Sequence, residues 1–171
     1  WAKYSHFFNP YKKIAMRRKS SLYRVQMLEK NLNPKSYKNS DDFFSDLGHA
    51  VHHIQDAAHP AHVVPVMHSF NDGFENYELS TIPDPNSTAD DCELLTHISS
   101  NSLSDLTIET SKITLNSIQN AILLKKDGVI TRTTWEQAFW KSAPDSSFGE
   151  YGFLGNTFGK NAIIIGANRY E

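Results

Sequence analysis

Six of the eight histidines crowd into the twenty residues from His49 to His68, namely His49, His52, His53, His59, His62 and His68. Within that window runs His52-x-x-x-Asp56-x-x-x-x-x-His62. Residues four apart share one face of a helix, so the His52 imidazole and the Asp56 carboxylate can converge on one ion. Pro60 turns the chain before His62, which need not continue that face. A further carboxylate, Glu75, stands in Gly73-Phe74-Glu75-Asn76-Tyr77, a few residues beyond His68. Imidazole with carboxylate and no thiolate suits zinc and leaves room for a water, as hydrolytic sites need.

One histidine on a half-buried helix is more often a packed polar residue than a ligand. Six together, interleaved with Asp56 and Glu75, point the other way. Taken singly, His49, His53 and His59 read as supporting or surface residues, and the isolated His97 as an ordinary one.

The elements that must position these groups read as helical. Ile14, Met16, Leu22, Val25 and Leu28 recur at helical spacing from about Lys12 to Leu32, and Asn33-Pro34 stops the pattern. Ser40 is a plausible N-cap, with Asp41 and Asp42 in the first turn. The helix it opens carries Phe44, Leu47, Val51 and Ile54 inward and ends near Ala58. A short helix is expected around Phe74 to Leu79, a loop from Ile82 to Ala89, and another helix from Asp90 to Ser99. A longer one fits Leu103 to Lys126, with Gly128 just past its end. Thr134 to Lys141 reads as a short amphipathic helix, and the tail from Pro144 as irregular. The expected fold class is all-α, a multi-helix bundle in one domain spanning residues 1–171.

Composition narrows the classes further. The chain has 171 residues, 39% hydrophobic and 21% charged, with a net charge of −2, ordinary values for a globular protein. No apolar run approaches the roughly 18 residues of a spanning helix. A single cysteine, Cys92, excludes an internal disulfide framework and a cysteine-rich zinc finger. Ten of the 17 Lys and Arg fall in residues 1–38 against one acid, Glu29. Such a segment could attract lipid or nucleic-acid phosphates, although a solvated basic helix explains it as well. The chain opens on Trp1 with no signal-peptide pattern, which suggests a processed protein or a piece of a longer one.

The stretch Leu47-Gly48-His49-Ala50-Val51-His52-His53-Ile54-Gln55-Asp56-Ala57-Ala58-His59-Pro60-Ala61-His62 resembles the core motif of the bacterial zinc-dependent phospholipase C family. That family shares its fold and trinuclear zinc site with single-strand-specific nucleases. Upstream, His6-Phe7-Phe8-Asn9-Pro10 resembles the family's aromatic context around a further ligand histidine. The resemblance implies that His6, His52 and Asp56 bind one zinc, with the second Asp56 oxygen bridging to a neighbouring ion. It implies that His62 and Glu75 bind a separate zinc, together with the position of Asn71. There the family has histidine, so this site is weakened unless His68 substitutes. Trp1 with His6 also matches the spacing of an N-terminal ligand pair in the nuclease branch. The internal assignment of His6 is the one that the Phe7-to-Pro10 context and the His6-to-His52 interval favour, and it implies that the chain lacks the N-terminal part of the family's fold.

The expected activity is therefore zinc-dependent phosphoester hydrolysis, with up to three Zn2+ in the family and fewer in this chain. Asp56 is the residue expected at the centre of catalysis. No Gly-x-Ser-x-Gly elbow, phosphate-binding glycine loop or paired-cysteine motif offers rival machinery. The resemblance implies a secreted or extracytoplasmic phospholipase C that meets phospholipid headgroups at a membrane surface, with no stable nucleic-acid partner. The alternatives are a single-strand-specific zinc nuclease, with Trp135, Phe139, Trp140 and Tyr151 as base platforms, and a non-catalytic zinc-binding relative.

Overall fold

The computed structural model describes residues 6–11, 20–64, 66, 74, 102–141, 150–151, 156–159 and 162–170. Among them the helices are α1 (Ser21–Asn31), α2 (Ser40–Ala58), α3 (Pro60–Val63), α4 (Leu103–Ser117) and α5 (Trp135–Ala138). Seven strands accompany them: β1 (Ala121–Lys126), β2 (Val129–Thr134), β3 (Trp140–Lys141), β4 (Glu150–Tyr151), β5 (Thr157–Gly159), β6 (Ala162–Ile165) and β7 (Asn168–Tyr170). They form three small antiparallel sheets, β1-β2, β3-β4 and β5-β6-β7. The fold is mixed α and β, which corrects the all-α bundle expected from the sequence. Among the described residues no helix is long and apolar enough to cross a membrane.

The expected helix from Leu103 to Lys126 stops at Ser117, and its second half is the strand β1. Asp127-Gly128 is a two-residue turn with φ of 50° and 80°, both in the left-handed region that a type I′ hairpin turn demands. The glycine that resembled a helix stop is thus a hairpin turn, and β-branched Val129, Ile130, Thr131, Thr133 and Thr134 fill the return strand. Helix α5 is shorter than expected, capped by the Thr134 side chain on the Gln137 N–H, and Trp140–Lys141 leaves it as β3. The tail is not irregular throughout: β5, β6 and β7 make a meander, and Gly166 (φ 59°) opens the turn between the last two.

Helix α2 keeps its expected end at Ala58, but its N-cap is Asn39, whose side chain accepts from the Asp42 N–H. Its buried residues are Ala50, His53, Asp56 and Ala57, whereas Phe44 and Val51, expected inward, are exposed. Small and polar groups line the contact of α2 with its neighbours. Ser21 Oγ of α1 donates to the His53 carbonyl, and Thr114 Oγ1 of α4 donates to the Ala57 carbonyl. On α4 the fully buried Thr107 and Ser111 return their hydroxyls to carbonyls one turn back, which satisfies them inside the contact. Glu29 near the end of α1 accepts from the Leu103 and Ser104 N–H groups, so α1 and the start of α4 are joined through a carboxylate.

The apolar core gathers around α3 and the residues that follow it. Ala61, Val64, Val66, Ile118, Ala138, Phe139 and Trp140 form it, with Phe74, Leu115, Trp135, Ile163 and Ile165 packed against it. It joins α3, the end of α4, α5 and the β6 strand. The expected helix over Asp90–Ser99, the loop before it, and the expected short helix past Phe74 lie outside the described residues.

Candidate metal centre

The geometry of the site begins with the segment before α1. The Phe8 N–H donates to the His62 carbonyl (3.0 Å), Asn9 Nδ2 donates to the Val63 carbonyl (2.7 Å), and the Ser21 N–H donates to the Phe7 carbonyl (3.2 Å). Phe7 is buried with its ring edge-on to His62. These bonds stitch the segment to α3 and α1 and hold His6 over the side of α2 that carries His52 and Asp56.

Three ligand atoms then meet. His6 Nδ1 lies 2.8 Å from Asp56 Oδ2, His52 Nε2 lies 3.3 Å from His6 Nδ1, and His52 Nε2 lies 3.6 Å from Asp56 Oδ2. Among the described residues this is the histidine–carboxylate group whose ligand atoms all fall within 4.8 Å of one another. The triangle they define has a circumradius of about 1.9 Å, and three ligands at about 2.05 Å on a tetrahedral zinc span a triangle of about that size. The residues fit the ion. The donor set of two imidazoles and one carboxylate is also the one found at catalytic zinc, where a fourth position stays open.

Asp56 is the hub. It is buried, and its other oxygen, which the resemblance assigns to a neighbouring zinc, faces His62 Nδ1 at 3.1 Å. His53 Nδ1, one turn earlier on α2, lies 3.5 Å from Oδ2. Burial pushes the Asp56 carboxyl upward, but the imidazoles of His53, His6 and His62 outweigh it and hold the group far below the usual carboxylate range. The same contact with Asp56 raises His6 above the ordinary imidazole value, against a smaller opposing effect of desolvation.

The structure therefore brings together His6, His52, Asp56 and His62 of the expected site residues. Glu75, His68 and Asn71 lie outside the described residues, as do Trp1 and His97. His49 is exposed, in keeping with a surface role. His59 is an α3 N-cap: its Nδ1 accepts from the Ala61 N–H, and its ring stacks on His62. His53, expected as a supporting or surface residue, takes a supporting place: it stands three residues before Asp56 on the same helix face and flanks the carboxylate.

No family model matches the chain, and neither a curated protein nor a solved structure shows significant similarity to it.

Proposed function

We propose that this protein is a zinc-dependent phosphoesterase, a phospholipase C that hydrolyses glycerophospholipids with water as the nucleophile. The single observation that carries the reading is the His6–His52–Asp56 triangle, whose dimensions suit a tetrahedral zinc. The likeness of residues 47–62 to the phospholipase C motif supplies the reaction class and the secreted or extracytoplasmic setting.

Zinc held there would contribute Lewis acidity, neutralising phosphate charge in the transition state and making water acidic enough to attack near neutral pH. The chain's own part is positional and electrostatic. Asp56 stays ionised in a buried place because imidazoles surround it. His6 and His52 are fixed from two separate segments, and His52 remains half-exposed, so the site opens to solvent and substrate. Phe139 and Trp140 are buried in the core, so these two aromatics offer no face to a nucleic-acid base, which favours the phospholipase over the nuclease reading.

The test compares metal content with hydrolysis of phosphatidylcholine vesicles and single-stranded DNA. The expected result is stoichiometric zinc and release of diacylglycerol and phosphocholine, both lost in His52→Ala. Zinc without hydrolysis would identify a non-catalytic relative, DNA cleavage alone a nuclease, and no zinc binding would remove the reading altogether.

A further inference from the structure

We infer that the outer face of the β1–β2 hairpin is a docking surface for an anionic lipid bilayer. This deepens the phospholipase reading by naming the surface on which the enzyme would meet its substrate.

The strand pairing sets the composition of that face. Leu123 stands opposite Arg132 and Lys125 opposite Ile130, so apolar and cationic side chains alternate across the two strands. Leu124, with the opposite parity, is buried and turns the other face of β1 toward the body of the protein. Leu123 is 68% exposed and Ile130 63%, large values for aliphatic side chains on neighbouring strands. Val129, beside the turn and paired with Lys126, is exposed too but has the opposite parity and is not part of this face. Ala121 and Thr134 complete the outer face, and it contains no acid; the hairpin's one carboxylate, Asp127, sits in the turn.

The chemistry selects the occupant. Protein interfaces concentrate aromatic residues and exclude Lys from their centres, whereas this face carries Lys125 and no aromatic residue. Single-stranded nucleic acid needs stacking platforms, which Leu123 and Ile130 do not supply. An anionic bilayer meets both requirements at once. The aliphatic tips enter the boundary between headgroups and acyl chains, while Lys125 and Arg132 lie along it with their charges among lipid phosphates. Lys126, on the inner side, donates to Asn168 of β7 and so ties the hairpin to the meander, giving the surface a fixed base.

The experiment is sedimentation of the full chain with vesicles of phosphatidylserine and phosphatidylcholine, against vesicles of phosphatidylcholine alone. The wild type is expected to bind the anionic vesicles more tightly and to lose binding as salt rises. Lys125→Glu with Arg132→Glu should weaken binding by more than the roughly fivefold per cation that removing each charge costs. Leu123→Ser with Ile130→Ser should weaken it at low and high salt alike. Both pairs are exposed, so the fold should survive, and circular dichroism checks that it does. His52→Ala is expected to bind vesicles like the wild type, so failure of the zinc reading leaves this measurement intact. The inference is overturned if the wild type stays in the supernatant with anionic vesicles or if the hairpin variants bind as it does. It is likewise overturned if they change the oligomeric state instead of vesicle binding.

Discussion

Asp56 carries two burdens at once, as a buried anion and as the meeting point of four imidazoles. A buried carboxylate without partners would be costly, so the histidines are structural partners before they are ligands. Even hydrogen-bond partners outside a metal's ligand set change affinity by about 10–100-fold, so Asp56→Asn and His52→Ala should each weaken zinc by at least about 100-fold in a competitive chelator titration. His53→Gln should cost less, about tenfold, because it only flanks the carboxylate. The pH dependence follows from the same contacts. His6 is raised above 6.5, so the stability it contributes to the metal-free protein is complete below that value and is lost as pH climbs through the raised pKa. Asp56 is depressed below 3.8, so its contribution is present above that value and is lost as pH falls toward the folded pKa. Metal-free stability should therefore form a plateau between these limits in urea titrations, and His6→Ala should remove its alkaline edge. Zinc affinity should fall as pH drops below the raised His6 pKa, because the metal needs the neutral imidazole.

At the scale of elements, what was legible depended on how local the signal was. The His52–Asp56 pair follows from spacing within one helix, and α2 ends where expected, ahead of Pro60. His6 could be joined to them only through the motif resemblance, since about fifty residues separate them and spacing cannot report a distant contact. The hairpin differs from the expected helix because only Ile118 and Ile122 share a helix face; Leu124, two residues further on, follows the period of a strand, and Asp127-Gly128 is the decisive sign of the turn. The inward face of α2 was misjudged for a different reason. Its partners α1 and α4 present Ser21, Thr107, Ser111 and Thr114, so the buried seam is small and polar, and hydrophobicity does not mark it. Glu29 belongs to the same class of hidden contact. It accepts from the first N–H groups of α4, where a carboxylate also meets the positive end of the helix dipole. Glu29→Gln keeps the size and removes the charge, and should lower stability by about 1 kcal/mol in chemical denaturation. Glu29→Ala also strips the acceptors and should cost more, about 2 kcal/mol.

For the whole molecule, the candidate site is a place where separate parts of the chain depend on one another. His6 comes from the segment before α1, His52 and Asp56 from α2, and His62 from α3. Unfolding scatters these groups, so the native state alone can present His6, His52 and Asp56 to one ion. Zinc should then stabilise folding by mass action, by about 2.7 kcal/mol when free metal stands at 100 times its dissociation constant. For a chain in this size range about 1 kcal/mol moves the melting temperature by roughly 2–4 °C, so the expected rise is about 5–10 °C. Asp56→Asn separates this linkage from a general effect of the ion: with zinc bound at least about 100-fold more weakly, its zinc-dependent rise should shrink to about 1 °C or less. A wild-type melting temperature indifferent to zinc would show that the triangle of His6, His52 and Asp56 is held by its own hydrogen bonds and not by affinity for a metal.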